Sequence, residues 1–249
     1  LDEEGELLRR TLTYFSERGV DAVLMAGDLA DSGYVDELEK IGEVWRCVFP
    51  KDRASDGRSV TKLFLYGNHD ARGFGRGLCP WTTERNPRYI AMDRAGWWKR
   101  CFDEDYAPIY AKTVKGYTFI CGHWDTAAGV AAMPEFIEKM RPKLTGTKPF
   151  FYAQHPHPKN TCSGPWAWGH DDGTSTRILS TFPNAVAFSG HSHNSLTDER
   201  VIWQGEFTSI GASSLSYSSI EYAYRENTYV TDNRHDTRPL RMKPLNTWD

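Results

Sequence analysis

Four short apolar runs in this chain each end in residues that can hold a cation or move a proton. Residues 20–26 lead into Gly27-Asp28, and residues 63–66 into Gly67-Asn68-His69-Asp70. Residues 150–153 lead into Gln154-His155, and residues 185–188 into Ser189-Gly190-His191-Ser192-His193. Together they offer one carboxylate, one amide oxygen and several imidazoles, a set suited to Zn, Mn or Fe and unlike a soft thiolate site. His191 and His193 are two residues apart, so an extended backbone would turn both rings to the same side. Each piece alone is ordinary: a Gly-Asp after a strand is usually a turn, and an Asn-His-Asp usually a loop. All four in order, each behind an apolar run, point to a metal centre.

Such residues need elements that bring them to one place. Side chains at the C-terminal ends of strands converge on one edge of an α/β sheet, where loops can form a site. The glycines Gly27, Gly67 and Gly190 allow tight turns just before each candidate ligand. A helix is expected over residues 6–18, with Leu8, Leu12 and Phe15 on one face and Gly19 as its C-cap. Val35, Leu38, Ile41, Trp45 and Val48 mark a second helix. Lys115-Gly116 between residues 109–114 and 117–121 reads as a hairpin. Further helices are expected over 134–140 and over 174–182, the latter capped by Asp172. Residues 201–203, 207–210 and 229–231 are strand-like, while 71–107 show little periodicity. Helix–strand alternation giving way to strands predicts one layered α/β domain with two packed sheets.

Composition narrows the function classes. The 249 residues are 39% hydrophobic and 25% charged, enough to bury a sizeable core. A net charge of -3 and a pI near 6.3 argue against an extended nucleic-acid surface. No run approaches the ~20 apolar residues that span a membrane. The opening Leu1-Asp2-Glu3-Glu4 carries no apolar core of an export signal. Cys47, Cys79, Cys101, Cys121 and Cys162 are widely spaced and form no CxxC pair, which argues against a cysteine zinc or redox site.

The series GDxxD (Gly27 to Asp31), GNHD (Gly67 to Asp70), His155 followed by Pro158, and GHSH (Gly190 to His193) resembles the calcineurin-like metallophosphoesterase superfamily. The resemblance covers roughly residues 7 to 210. It implies a four-layer α-β-β-α sandwich with two mixed sheets and a dinuclear metal site at the strand C-termini. It implies two divalent metal ions (Mn, Fe or Zn) and a small phosphorylated substrate. Asp28 then resembles the carboxylate that bridges both metals. Asn68, His155 and His191 match the remaining ligands of the second metal, and His193 a ligand of the first. His69 resembles the catalytic histidine beside the leaving group, with Asp70 orienting its ring. The implied reaction is hydrolysis of a phosphomonoester or phosphodiester by attack of a metal-bridging hydroxide.

Two departures from the family pattern carry expectations of their own. The family opens with a D-x-H motif whose residues ligate the first metal, and none precedes Gly27 here. We therefore expect the domain, residues 1–249, to lack its first strand, with a D-x-H just upstream of Leu1. The competing reading is a non-catalytic binding module on the same fold with an incomplete metal site. Purple acid phosphatases carry a tyrosine three residues after the GD aspartate; that position is Asp31, which argues against a tyrosinate-ligated iron.

Four residues outside the motifs are candidate substrate contacts: Arg72, His123, His157 and His170. Residues 71–100 hold Arg72, Arg76, Arg85, Arg88, Arg94, Lys99 and Arg100 against only Glu84 and Asp93. A basic segment leaving directly from the GNHD motif could draw an anionic substrate, with Trp81, Trp97 and Trp98 as a stacking surface.

Overall fold

Strands that are buried on both faces read as continuous apolar runs, and those at the centre of this molecule do so. In the computed structural model, residues 3–75, 93–124, 130–164 and 171–215 are described. The first helix, α1 (Glu3–Glu17), buries Leu8 and Leu12 and ends where Gly19 adopts φ 79°. It leads into β1 (Ala22–Ala26), which pairs in parallel with β2 (Thr61–Leu65), Leu24 opposite Leu63. Between them, α2 (Val35–Val48) buries Val35, Leu38, Val44 and Trp45 at helical spacing. Its open N-terminus is closed by Glu37, whose carboxylate accepts from the backbone N–H of Tyr34 at 2.9 Å. Helix α3 (Asn68–Gly75) begins directly behind β2.

The aperiodic reading of 71–107 needs correction. Arg94–Phe102 is a helix, α4, capped by Asp93 accepting from the Gly96 N–H at 2.8 Å. Trp97, Trp98, Cys101 and Phe102 are all buried. A helix this short, with its apolar residues in two adjacent pairs, covers little more than two turns and shows no clear repeat. Its tryptophans belong to the core, so Trp97 and Trp98 supply no stacking surface for a leaving group. The basic side chains of α4 are engaged at the surface: Arg100 pairs with Glu39, and Lys99 with Asp103 and Asp105. Residues 76–92, with Trp81, Arg76, Arg85 and Arg88, lie outside the described residues, as does the side chain of Arg72.

The second sheet is mixed and has six strands in the order β3-β4-β5-β6-β8-β7. Its hairpin joins β3 (Ile109–Val114) to β4 (Tyr117–Gly122). Lys115 (φ 50°) and Gly116 (φ 79°) at the turn both lie in the left-handed region, as the twist of a two-residue hairpin demands. Helix α5 (Met133–Leu144) precedes β5 (Phe150–Ala153), and α6 (Thr174–Leu179) precedes β6 (Ala185–Ser189). The edge is completed by β7 (Ile202–Gln204) and β8 (Thr208–Gly211). The strand expected at 229–231 lies outside the described residues.

Alternation along the strands sorts the core into layers. Val23 and Phe64 face the helices and pack with Leu12, Trp45 and Trp98. Leu63 and Leu65, from the opposite face of the same sheet, meet Cys121 and Ala153 of the second sheet. Ile120, Tyr152 and Ala187 point the other way, onto Ile137, Leu144, Leu179 and Phe182. The order is therefore helix, sheet, sheet, helix. The strand ends that carry the polar motifs stand together on one edge of this stack. Among the described residues no helix is long and apolar enough to cross a membrane.

Candidate metal centre

Asp28, Asn68, His155 and His191 come from four separate strand ends and meet. His155 Nε2 lies 3.0 Å from Asp28 Oδ2 and 3.0 Å from Asn68 Oδ1. His191 Nδ1 lies 3.1 Å from the same Asn68 oxygen and 3.3 Å from His155 Nε2. Asp28, His155 and His191 can each offer one ligand atom within 4.8 Å of the others. His155 Nδ1 donates to the Ala26 carbonyl at 2.7 Å, which leaves its Nε2 facing the cluster. The amide oxygen, the carboxylate and the two imidazole nitrogens thus aim electron pairs at a common point.

Such a set attracts positive charge. Burial pushes the Asp28 carboxyl up, but its hydrogen bond and attraction to His155, with the His69 N–H at 2.9 Å, overcome this and hold it at about 2. Burial opposes a charge on His155, yet the bonded Asp28 carboxylate raises its pKa overall. A cation is wanted here, and a divalent metal fits the donor set of oxygen and imidazole nitrogen.

Glycines let these loops approach. A Cβ at Gly67 would sit 2.1 Å from Asp28 Oδ1, and one at Gly27 would sit 2.5 Å from His155 Nδ1. Of Gly27, Gly67 and Gly190 only Gly27 has positive φ, at 87°. The need at Gly67 is therefore room rather than turning. Trp124 walls the cluster, its ring 6.4 Å from that of His191 at 25° and 6.0 Å from that of His155. His193 lies outside the tight cluster. Burial lowers its pKa against the pull of Asp28, with His155 and His69 also within electrostatic range.

The expected pairing of Asp70 with His69 is not what the structure has. Asp70 is wholly buried, and its oxygens accept from the N–H groups of Gly67 (2.8 Å), Leu29 (3.0 Å) and Ala30 (2.9 Å). Burial and the nearby Asp28 charge push it up to about 7 while those three donors pull the other way. The His69 ring instead meets Asp31: Nδ1 is 2.6 Å from its carbonyl oxygen and 3.8 Å from its carboxylate. The 2.6 Å partner is a backbone carbonyl, so the residue type at position 31 carried no signal of it.

Two further histidines leave the list of substrate contacts. His123 is fully buried among Tyr66, Trp98 and Tyr106, and its Nδ1 accepts from the Tyr66 N–H at 3.0 Å. Burial, helped by Arg94, pushes it down to about 3, so it stays neutral. His157 is equally buried and bonds to serines under the GHSH turn. Neither ring is open to a phosphate. His170 lies outside the described residues. Sequence reading passed over Gln154, whose amide donates to the Pro156 carbonyl (2.8 Å) and to Asp171 (2.8 Å), fixing the chain on both sides of His155.

The calcineurin-like phosphoesterase family matches residues 5–195. Among solved structures, PhoD is 10% identical with a TM-score of 0.52, covering 90% of this chain and 58% of its own. A dimetal phosphatase from Danio rerio is 15% identical with a TM-score of 0.48, covering 86% of this chain and 79% of its own. At such identities the likeness to PhoD is one of fold, and this chain spans 58% of PhoD's length. No curated protein matches. The matched region takes in the GD, GNHD, mid-chain histidine and GHSH elements whose side chains meet at the sheet edge, and the chain belongs to the calcineurin-like phosphoesterase family.

Proposed function

We propose that this protein hydrolyses a small phosphomonoester or phosphodiester at a two-metal centre. The observation that carries the reading is the convergence of Asp28, Asn68, His155 and His191 within 3.0 to 3.3 Å of their neighbours. These four would hold one ion, and Asp28 with His193 would contribute to another. When bound, the ions supply Lewis acidity toward the phosphoryl oxygens and bring the pKa of water toward neutrality.

The protein's own groups do the rest. Asn68 and His191 fix one side of the centre, and the Ala26 carbonyl holds the His155 ring in the tautomer that a ligand needs. The His69 backbone N–H bonds Asp28, so ring and carboxylate are set against each other by one residue. His69 Nδ1 donates to the Asp31 carbonyl, leaving Nε2 as the atom for the departing oxygen. Proton donation of this kind is worth ~10²- to 10⁴-fold.

The test separates chemistry from metal binding. His69→Ala should slow a poor leaving group such as an alkyl phosphate far more than an activated nitrophenyl ester, with metal content near wild type. Asp28→Ala should lose both metal and turnover. Equal losses on both esters would refute the proton-donor role of His69. Metal binding without turnover of any phosphoester would favour the binding-module reading.

A further inference from the structure

The turn that presents His191 and His193 is held in an unfavourable conformation. His191 (φ 66°) and His193 (φ 54°) are both left-handed, a region non-glycine residues keep only where surrounding contacts enforce it. Those contacts converge on His157. Its Nε2 lies 2.7 Å from Ser192 Oγ, and its Nδ1 lies 2.6 Å from Ser189 Oγ and 3.0 Å from Cys162 Sγ. Ser189 and Ser192 bracket Gly190-His191, so one imidazole grips the strand end before the first histidine and the turn after it. Ser192 Oγ in turn donates to Ser163 Oγ at 3.3 Å. Gly211 of β8 makes room for the ring, since a Cβ there would stand 2.9 Å from its Cε1.

We propose that His157 is a positioning residue: it clamps residues 189–192 so that His191 Nδ1 and the His193 ring face the metal centre. This deepens the proposed function and rests on it. A neutral imidazole suits the task, because one nitrogen donates, the other accepts, and each serine hydroxyl rotates to complement it. Residues of this kind, which bind a ligand's neighbours rather than the metal, typically set affinity by 10- to 100-fold.

The experiment measures Mn²⁺ binding to the full chain, freed of metal and titrated with Mn²⁺ alone, by the electron paramagnetic resonance of the free ion. His157→Ala should weaken binding at least ~10-fold. Substrate KM, measured at saturating Mn²⁺, should stay within twofold of wild type. His157→Gln, which restores a donor and an acceptor near Ser192, should recover most of the affinity. Ser192→Ala, a smaller change that keeps the fold if His157→Ala does not, should weaken binding in the same direction. The double variant should be no weaker than His157→Ala, since both remove one contact. Wild-type affinity in folded Ser192→Ala, or additive losses in the double variant, would overturn the inference. If wild type binds Mn²⁺ and Asp28→Ala does not, while the His157 and Ser192 variants bind normally, only this inference falls. If wild type binds none, the proposed function falls with it.

Discussion

A wholly buried carboxylate persists only when its oxygens are satisfied, and Asp70 has three backbone N–H groups for them. Two of those donors, Leu29 and Ala30, follow Asp28, so Asp70 fixes the loop that carries Asp28. Asp70→Asn would turn an NH₂ toward N–H groups and leave at least one donor unsatisfied. The expected cost is roughly 2 to 3 kcal/mol of stability by urea unfolding, together with weaker Mn²⁺ binding. A variant as stable as wild type would show that the three bonds contribute little. This role was hidden in the sequence for a geometric reason. His69 and Asp70 are adjacent in the motif, but both stand on α3, and consecutive helix residues point about 100° apart. The partner of His69 is a backbone carbonyl 38 residues away, a group that every residue possesses and no side-chain pattern can single out. The four residues that converge were legible because their types are rare at strand ends, and Asp28, Asn68 and His191 each follow a glycine.

Among the elements, β1, β2, β5 and β6 could be read within a residue or two, because buried strands are apolar throughout and stop abruptly at polar residues. Helix α4 could not, since its buried face is carried by two adjacent pairs, and the tryptophans that suggested a lid are core residues. The glycines were read as turn-formers, and the structure gives another use for Gly67: β2 ends hard against the Asp28 loop. A methyl group there would meet Asp28 Oδ1 at 2.1 Å and its backbone N at 2.4 Å, so the loop must move. Gly67→Ala should therefore weaken Mn²⁺ binding by ~10-fold or more, in proportion to the displaced ligand. The melting temperature should fall by only a few degrees, since the clash is confined to one loop end. An alanine variant with wild-type affinity would mean that the loops relax apart without disturbing the carboxylate.

Across the whole molecule, the centre joins two layers. Asp28 and Asn68 follow the strands of the parallel pair, whereas His155 and His191 follow strands of the six-stranded sheet. The two-sheet layering was anticipated from helix–strand alternation and from the family resemblance. The strand order β3-β4-β5-β6-β8-β7 was not, because pairing between distant runs depends on which faces fit rather than on local pattern. The hydrogen bond from His155 Nδ1 to the Ala26 carbonyl closes a separation of 129 residues. Contacts that span so much chain form after both sheets exist and dock, because the entropy of closing the loop must be met first. Metal binding at that seam is therefore expected on the native side of the folding barrier. Stripping the metal with EDTA should then leave the refolding rate nearly unchanged and accelerate unfolding. With free metal at 100 times its Kd the linked stability is about 2.7 kcal/mol, or roughly a hundredfold in unfolding rate. Stopped-flow measurements with and without chelator read both arms, and a metal-dependent refolding arm would place the seam early instead. The ion that the site recruits would thus act as a brake on coming apart, set in the last step of assembly.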